Sequence, residues 1–449
     1  MYKYLLITLL MTSVAYAQDR RIEFEEYDMD NGLHVILHQD NSTPIVNVSV
    51  LYHVGSKNEK EGRSGFAHFF EHLMFEGSPN IERGTFFKIL QGAGGTLNAN
   101  TSNDRTFYYE TLPSHHLALG LYMESERMLH AKIDSTGIAT QKEVVKEEKR
   151  TRVDNQPYGT FQSKMFAAAF KGTSYEWTPI GSFEDIDAGT DSDFKDFFDT
   201  FYVPNNATLA VAGDLDIAET KALIEKYFGE IPKGTKEIPR PSIKVPDLGG
   251  EYREDVFDNI QLPAVIYGYQ MCEQGSEDYY AMQMLTQLLS GGESSRFQKE
   301  IKDEKQIAAF VGSFPFSLED AGLFITFGLV NMGKTTEELE VAIEAEMDRV
   351  KNEPIPDKEF QKLRNQIENN FVSSNSRVQG IAESLADYHV YFGDANLINT
   401  EIERYMAVTK EDIMRVAKKY LNSESRVSLT YLPKSAQKTP EDEEVKTDQ

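Results

Sequence analysis

The chain has 449 residues, of which 40% are hydrophobic and 26% charged, and its net charge is −26 from 46 Lys and Arg against 72 Asp and Glu. This length allows two domains with sizeable cores, and the composition is that of a globular protein. The acidic balance argues against nucleic acids and anionic membrane surfaces as partners. Cys272 is the single cysteine, which excludes an intramolecular disulfide and a multi-cysteine zinc site.

The N-terminus has the features of a cleavable signal peptide at residues 1–17. Lys3 precedes an apolar run at residues 5–14, and Ala15-Tyr16-Ala17 forms a small-residue cleavage site before Gln18. The run is too short to span a bilayer as a stable helix, although a retained membrane anchor is the alternative. We therefore expect export to the periplasm or the extracellular medium, with no stable membrane anchor.

Alternating strand and helix patterns follow in the first half of the chain. Runs with a period of two residues or continuous apolar character indicate strands, and longer amphipathic runs indicate helices. The predicted strands cover residues 33–39, 45–54, 96–101, 106–111 and 207–212. The predicted helices cover residues 65–75, 84–90, 115–130, 137–153, 193–202 and 217–228.

The second half repeats this layout. Strands are predicted at residues 265–271, 308–315, 322–329 and 426–431, and helices at residues 279–289, 334–352 and 357–375. The sequence therefore predicts an α+β fold made of two copies of one unit. The predicted organisation is a first domain at 22–231, an exposed Pro-, Gly- and Lys-rich linker at 232–250, a second domain at 251–432 and a disordered charged tail at 433–449.

A histidine pair marks the first unit. His68 and His72 are four residues apart on a predicted helix, with Glu71 between them on nearly the same face, which is the H-x-x-E-H pattern. Two imidazoles at this spacing can hold one Zn²⁺, while the carboxylate can take a proton from an activated water. The alternative is two surface histidines that happen to lie near a glutamate.

A catalytic zinc site needs a third protein ligand and an open position. The helix at 137–153 and the residues just after it offer four acidic candidates, Glu143, Glu147, Glu148 and Asp154. Most glutamates in such a helix form a solvated face, and composition does not choose among them.

Several patterns occur in one order between residues 31 and 232. They are Asn31-Gly32-Leu33, Val54-Gly55-Ser56, the region 65–77, Gly94-Gly95-Thr96-Leu97-Asn98-Ala99, the region 124–128, the region 143–150 and the region 154–159. Together they resemble the insulinase/pitrilysin family of zinc metallopeptidases, specifically short two-unit members related to mitochondrial processing peptidase. This resemblance implies two homologous, antiparallel-rich sheet domains packed with helices, which enclose a chamber that admits unfolded peptides.

The resemblance also implies roles for individual residues. Family members place the third ligand four residues after the first Val of a Val-Val or Val-Ile pair, which gives Glu148 here, with Glu147 as the fallback. One Zn²⁺ per chain is then expected on His68, His72 and Glu148, and Glu71 is the expected general base.

Other matches concern the substrate and the surroundings of the metal. Asn98 and Ala99 resemble the edge strand that pairs with an extended peptide backbone; the alternative is a buried structural strand. Gln141 departs from the family, since many relatives have a glutamate there that supports the metal ligands. An amide at this position can still orient its neighbours. It is therefore expected to adjust the properties of the metal site and not to change which residues form it.

The second half departs further from active family members. Residues 291–296 resemble a glycine-containing loop that precedes an Arg and a Tyr seven positions apart, but the equivalent residues are Lys302 and Ala309. A shift by one places Phe310 at the Tyr position, and neither side chain donates a hydrogen bond. The resemblance therefore implies a zinc-bearing peptidase subunit that needs a paralogous partner carrying the Arg and Tyr. The alternatives are a self-sufficient homodimer or monomer that uses Lys302, and a non-catalytic zinc-containing scaffold that binds peptides.

Overall fold

The computed structural model describes residues 21–437, so the predicted signal peptide and residues 438–449 of the predicted tail lie outside the described residues. The strands are β1 (Glu25–Asp28), β2 (His34–Gln39), β3 (Ile45–Tyr52), β4 (Thr96–Thr101), β5 (Thr106–Pro113), β6 (Ala207–Gly213), β7 (Tyr252–Asp258), β8 (Ala264–Met271), β9 (Ala308–Ser317), β10 (Gly322–Val330) and β11 (Val427–Pro433). A single 3₁₀ turn, Lys434–Ala436, follows the last strand.

Helices surround these strands. They are α1 (Phe66–Leu73), α2 (Phe86–Gly92), α3 (Leu117–His130), α4 (Ser135–Lys149), α5 (Phe161–Ala169), α6 (Phe183–Ala188), α7 (Asp191–Phe201), α8 (Ile217–Phe228), α9 (Glu277–Ser290), α10 (Thr336–Asn352), α11 (Asp357–Ser374), α12 (Val378–Phe392), α13 (Leu397–Ala407) and α14 (Lys410–Tyr420). Residues 232–250, the predicted linker, contain no helix or strand.

Two sheets of matching topology form the framework. The first has the order β1-β2-β6-β3-β5-β4 and the second the order β7-β11-β8-β10-β9. In each sheet one pair is parallel, β2 with β6 and β7 with β11, while the other pairs are antiparallel. The predicted α+β fold of two related, antiparallel-rich units is therefore confirmed. The strand order shows the repeat more clearly than the sequence does.

Each half contributes one helix that packs on the sheet of the other half. Helix α5 of the first half packs on the second sheet, where Met165 and Phe166 lie among Ile266, Leu323 and Leu429. Gly268 permits this packing, because a Cβ there would lie 2.1 Å from the Met165 sulfur. Helix α12 of the second half packs in the same way on the first sheet, with Leu385 among the residues that contact its apolar face.

This exchange follows from the burial of the central strands. Every residue of β6, Ala207–Gly213, is buried, so both faces of the first sheet need an apolar cover. One face is covered by α1 and other helices of the first half, and the other by α12. Neither sheet is therefore fully covered by helices of its own half.

A buried charge cluster also joins the halves. Lys57 is only 4% exposed, and its ammonium contacts Asp104 of the first half at 3.3 Å and Asp320 of the second half at 3.2 Å. It also pairs with Glu319. The Tyr175 hydroxyl donates to Asp104 at 2.6 Å. One buried cation therefore compensates carboxylates from both halves.

Replacing Lys57 with Met should lower the free energy of unfolding by about 3–5 kcal/mol, because buried carboxylates lose their counter-ion. Urea denaturation followed by circular dichroism measures this change. Lys60→Met, a change to an exposed neighbour, is the matched control and should alter stability by less than about 0.5 kcal/mol. Equal effects from the two variants would contradict a role of Lys57 in joining the halves.

Candidate active site

Helix α1 presents one apolar and one polar face. Phe66, Phe69, Phe70 and Leu73 are buried in the core of the first half. At helical spacing His68, Glu71 and His72 fall on the opposite side, where they are only partly buried. The burial of the phenylalanine face therefore fixes the direction in which the three polar side chains point.

A buried carboxylate holds the start of α1. Glu59 accepts hydrogen bonds from the backbone N–H groups of Gly65 at 2.9 Å and Ala67 at 2.8 Å, which are donors with no partner inside the helix. Gly65 itself has φ of 92°, a left-handed conformation that favours glycine. Glu59 was not among the predicted site residues, although a glutamate shortly before a predicted helix is a signal for capping.

Three predicted ligands converge beside this helix. The Nε2 atom of His72 lies 3.0 Å from Oε2 of Glu148, and the Nε2 atom of His68 lies 3.6 Å from the same oxygen. One donor atom from each residue lies within 4.8 Å of the others. In a tetrahedral zinc site with bonds of about 2.1 Å, ligand atoms are about 3.4 Å apart. The separations of Glu148 from His72 and from His68 therefore lie on either side of the spacing in a zinc site.

The protonation states of these groups also suit a metal. Burial and the neighbouring His72 lower the pKa of His68 to about 4, so its imidazole is neutral at physiological pH. The hydrogen bond with His72 and the nearby His68 lower the pKa of Glu148 to about 2, despite its burial. Neutral imidazole and ionised carboxylate are the forms that coordinate metals.

Glu71 lies next to this cluster and is held by the edge strand. The Thr101 hydroxyl donates to Oε2 of Glu71 at 2.6 Å. Burial raises the pKa of Glu71 above its ordinary value, and the bond from Thr101 opposes that rise. A carboxylate whose pKa is raised towards neutrality is suited to accept and return a proton.

The structure separates the two candidates for the third ligand. Glu148 is 13% exposed and faces the histidines, whereas Glu147 is 69% exposed and pairs with Arg150. The other oxygen of Glu148 is held by Arg152 at 2.6 Å. Arg152 lies in a π-helical turn, Arg150–Asp154, that continues α4. Arg152 was not among the predicted site residues, although it lies four residues after Glu148, the spacing at which helical side chains meet.

The predicted substrate strand lies at the edge of the first sheet. β4 pairs only with β5, through Asn98 opposite Tyr109 and Ala99 opposite Tyr108. Among residues 21–437 no strand pairs with its outer edge, which excludes a strand buried between two others. Residue Asn98 is exposed and Ala99 is buried, and β4 contacts α1.

Two other sequence predictions concern Gln141 and Lys302. The Gln141 amide donates to Glu76, which also pairs with Arg83. Lys302 lines a cavity of about 560 Å³ in the second half, together with the exposed side chain of Phe310. None of His68, Glu71, His72 and Glu148 lines this cavity.

Comparisons with known proteins agree with this geometry. The family model described as "Insulinase (Peptidase family M16)" matches residues 34–180, and the one described as "Peptidase M16 inactive domain" matches residues 190–367. The "Zinc protease PqqE" of Helicobacter pylori is 32% identical over 421 residues, which cover 93% of this chain and 95% of that protein. The chain belongs to peptidase family M16.

Two further relatives show how far the M16 likeness extends. A crystal structure of a protease from Helicobacter pylori has a TM-score of 0.87 and 31% identity, and the match covers 92% of this chain and 100% of that chain. The mitochondrial-processing peptidase subunit beta of Blastocladiella emersonii is 24% identical over 88% of this chain and 85% of its own length. The predicted resemblance to the family and to mitochondrial processing peptidase is confirmed.

Glu148→Gln should lower zinc affinity more than about 100-fold, because replacing groups that merely support a ligand already costs 10–100-fold. Glu147→Gln removes the same charge one residue away and should leave affinity unchanged. Competition with a fluorescent zinc chelator measures both variants. A larger loss in Glu147→Gln would mean that the fallback residue is the ligand.

Proposed function

We propose that this chain is a zinc-dependent endopeptidase subunit, with one Zn²⁺ held by His68, His72 and Glu148. The observation that carries the proposal is the convergence of these three donors beside Glu71. Two histidines and one carboxylate are a ligand set of catalytic zinc sites, which leave a fourth position for water or substrate. The zinc proteases among the relatives support the same reaction class.

Zinc, when bound there, would supply Lewis acidity and lower the pKa of water. Glu71 would take a proton from the attacking water and deliver it to the nitrogen of the leaving amine. Thr101 would hold the Glu71 carboxylate in place through its hydrogen bond of 2.6 Å. Arg152, bonded to the second oxygen of Glu148, would keep the other oxygen directed at the histidines.

The substrate would be an extended peptide that pairs with β4. The outer N–H and C=O groups of this strand can form the ladder of an added strand, with Asn98 and Ala99 at its centre. Backbone pairing selects for an unfolded conformation and depends little on side chains. Peptides and unfolded polypeptides are therefore the proposed substrate class.

A partner would complete the site. Lys302 lines a cavity apart from the predicted zinc ligands, Ala309 offers no hydrogen bond, and Phe310 lacks a hydroxyl. An oxyanion donor supplied by another chain would contribute about 10²–10³ in rate. A paralogous subunit with Arg and Tyr at these two positions fits this need.

The proposed location is the periplasm or the extracellular medium. Its support is the pattern at residues 1–17, where Lys3, an apolar run and Ala15-Tyr16-Ala17 follow in the order of a signal peptide. Between residues 21 and 437, the helices are too short or too polar to cross a bilayer.

Glu71→Gln should lower kcat for a quenched fluorescent peptide by about 10²–10⁴, because the side chain loses its proton-accepting oxygen. Zinc content should stay at one ion at this site, since Glu71 is not a proposed ligand. Glu61→Gln, at an exposed position before α1, is the control and should keep full activity. Unchanged peptide cleavage in Glu71→Gln would overturn the proposed catalytic role.

The partner requirement is tested by mixing. The chain alone should cleave the peptide weakly, and addition of a family member with the Arg and Tyr should raise the rate at least about 100-fold. Strong activity of the chain alone would support the self-sufficient alternative, and Lys302→Met should then lower kcat while Lys299→Met does not. Zinc and peptide binding without cleavage in either sample would support a scaffold role.

A further inference from the structure

A second group of metal-ligating side chains lies where the two halves meet, far from helix α1. Glu26 is on β1, His34 begins β2, and His389 is on the exchanged helix α12. One donor atom from each of them lies within 4.8 Å of the other two. Within residues 21–437, this is the one such group besides His68, His72 and Glu148.

The hydrogen bonds of His34 leave one nitrogen free. Its Nδ1 lies 2.8 Å from Oδ1 of Asp28, so the proton of a neutral ring belongs on Nδ1. Its Nε2 is buried and has no hydrogen-bond partner, although Oε2 of Glu26 lies 3.4 Å away. A nitrogen lone pair and a carboxylate oxygen repel each other unless a positive charge lies between them.

His389 adds a second imidazole to this position. The rings of His34 and His389 are stacked, with their centroids 3.5 Å apart and an angle of 5° between their planes. Two neutral imidazoles with the carboxylates of Glu26 and Asp28 carry two negative charges, which one divalent cation neutralises. The in-plane lone pairs of parallel rings do not converge, so cation binding would turn one ring out of the stack.

We propose that Glu26, His34 and His389 form a second binding site for a divalent transition-metal cation, with Zn²⁺ the ion that best suits its ligands. Imidazole nitrogen and carboxylate oxygen are common zinc donors. Asp28 would support the metal as the carboxylate that receives the other N–H of a ligating histidine, an arrangement that fixes the ring and raises its basicity.

This site is separate from the proposed catalytic zinc. His34 shares the sheet face of Ile36, which packs on α12, whereas α1 packs on the opposite face near β4 and β5. Two strands, β6 and β3, lie between β2 and β5, which corresponds to about 14 Å at the usual strand spacing. The cation would link β1 and β2 of the first half to the helix that the second half contributes, and so would act on stability.

Zinc content per chain tests the proposal. After dialysis against dilute Zn²⁺ at neutral pH, elemental analysis should find two ions in the unmodified protein and one in His389→Phe, which keeps a stacked ring without nitrogen. His72→Phe should also retain one ion, and the double variant none. His115→Phe, at an exposed histidine, should retain two.

Thermal unfolding provides a second readout. In His72→Phe, added Zn²⁺ should raise Tm, since a ligand that binds only the folded state stabilises it, and Glu26→Gln in that background should abolish the rise. Asp28→Asn should weaken the second site by about 10–100-fold, with Asp30→Asn as the exposed control. Circular dichroism shows whether each variant is folded.

The outcomes separate this proposal from the catalytic one. One ion in the unmodified protein that is lost in His72→Phe and kept in His389→Phe would overturn the second site alone. One ion that is lost in His389→Phe and kept in His72→Phe would overturn the catalytic site alone. In the His72→Phe background, a zinc-dependent rise in Tm that persists after Glu26→Gln and His389→Phe would show binding elsewhere and would overturn the proposed ligands.

Discussion

The two faces of helix α1 impose the constraint on which the rest of the first half depends. Phe69 and Phe70 are fully buried, while His68 and His72 on the other side lie close to Glu148 of another helix. A rotation of the helix by one residue, about 100°, would bury the histidines and expose the aromatic rings. The packing of the aromatic rings therefore stabilises the fold and also positions the candidate site. Burial of these rings sets the direction in which the histidine nitrogens point.

Three side chains outside α1 complete this positioning. Glu59 fixes the start of α1, Thr101 on β4 fixes Glu71, and Arg152 fixes the free oxygen of Glu148. Each contact comes from a different element, so an error in the placement of any one of them would move a functional atom. The positions of the functional atoms in this small site therefore depend on the sheet edge, on a capping carboxylate and on a π-helical turn.

The sequence allowed the fold class, the repeated unit and most helices of the first half to be predicted, because those follow from local periodicity. It also placed His68, Glu71 and His72 on one helical face, whereas Glu148 came from family resemblance. The exchange of α5 and α12 was not predictable, since an apolar helix face does not say which sheet it will cover. The orphaned nitrogen of His34 was equally inaccessible, because His389 lies 355 residues away in the chain and their contact requires the exchanged helix.

Comparison of the two halves shows how the helix that carries the candidate site differs from its counterpart. Helix α9 occupies in the second unit the place of α1, but it is longer and is buried through Tyr280, Leu285 and Leu288. Helices α11, α13 and α14 pack against it. Its buried Asp278 is paired with Arg415 and Lys419, because a polar side chain buried there without a partner would be desolvated at a cost. The sheets of the two halves have related strand orders, so the partly exposed polar face of α1 is the local feature that places the candidate site in the first half.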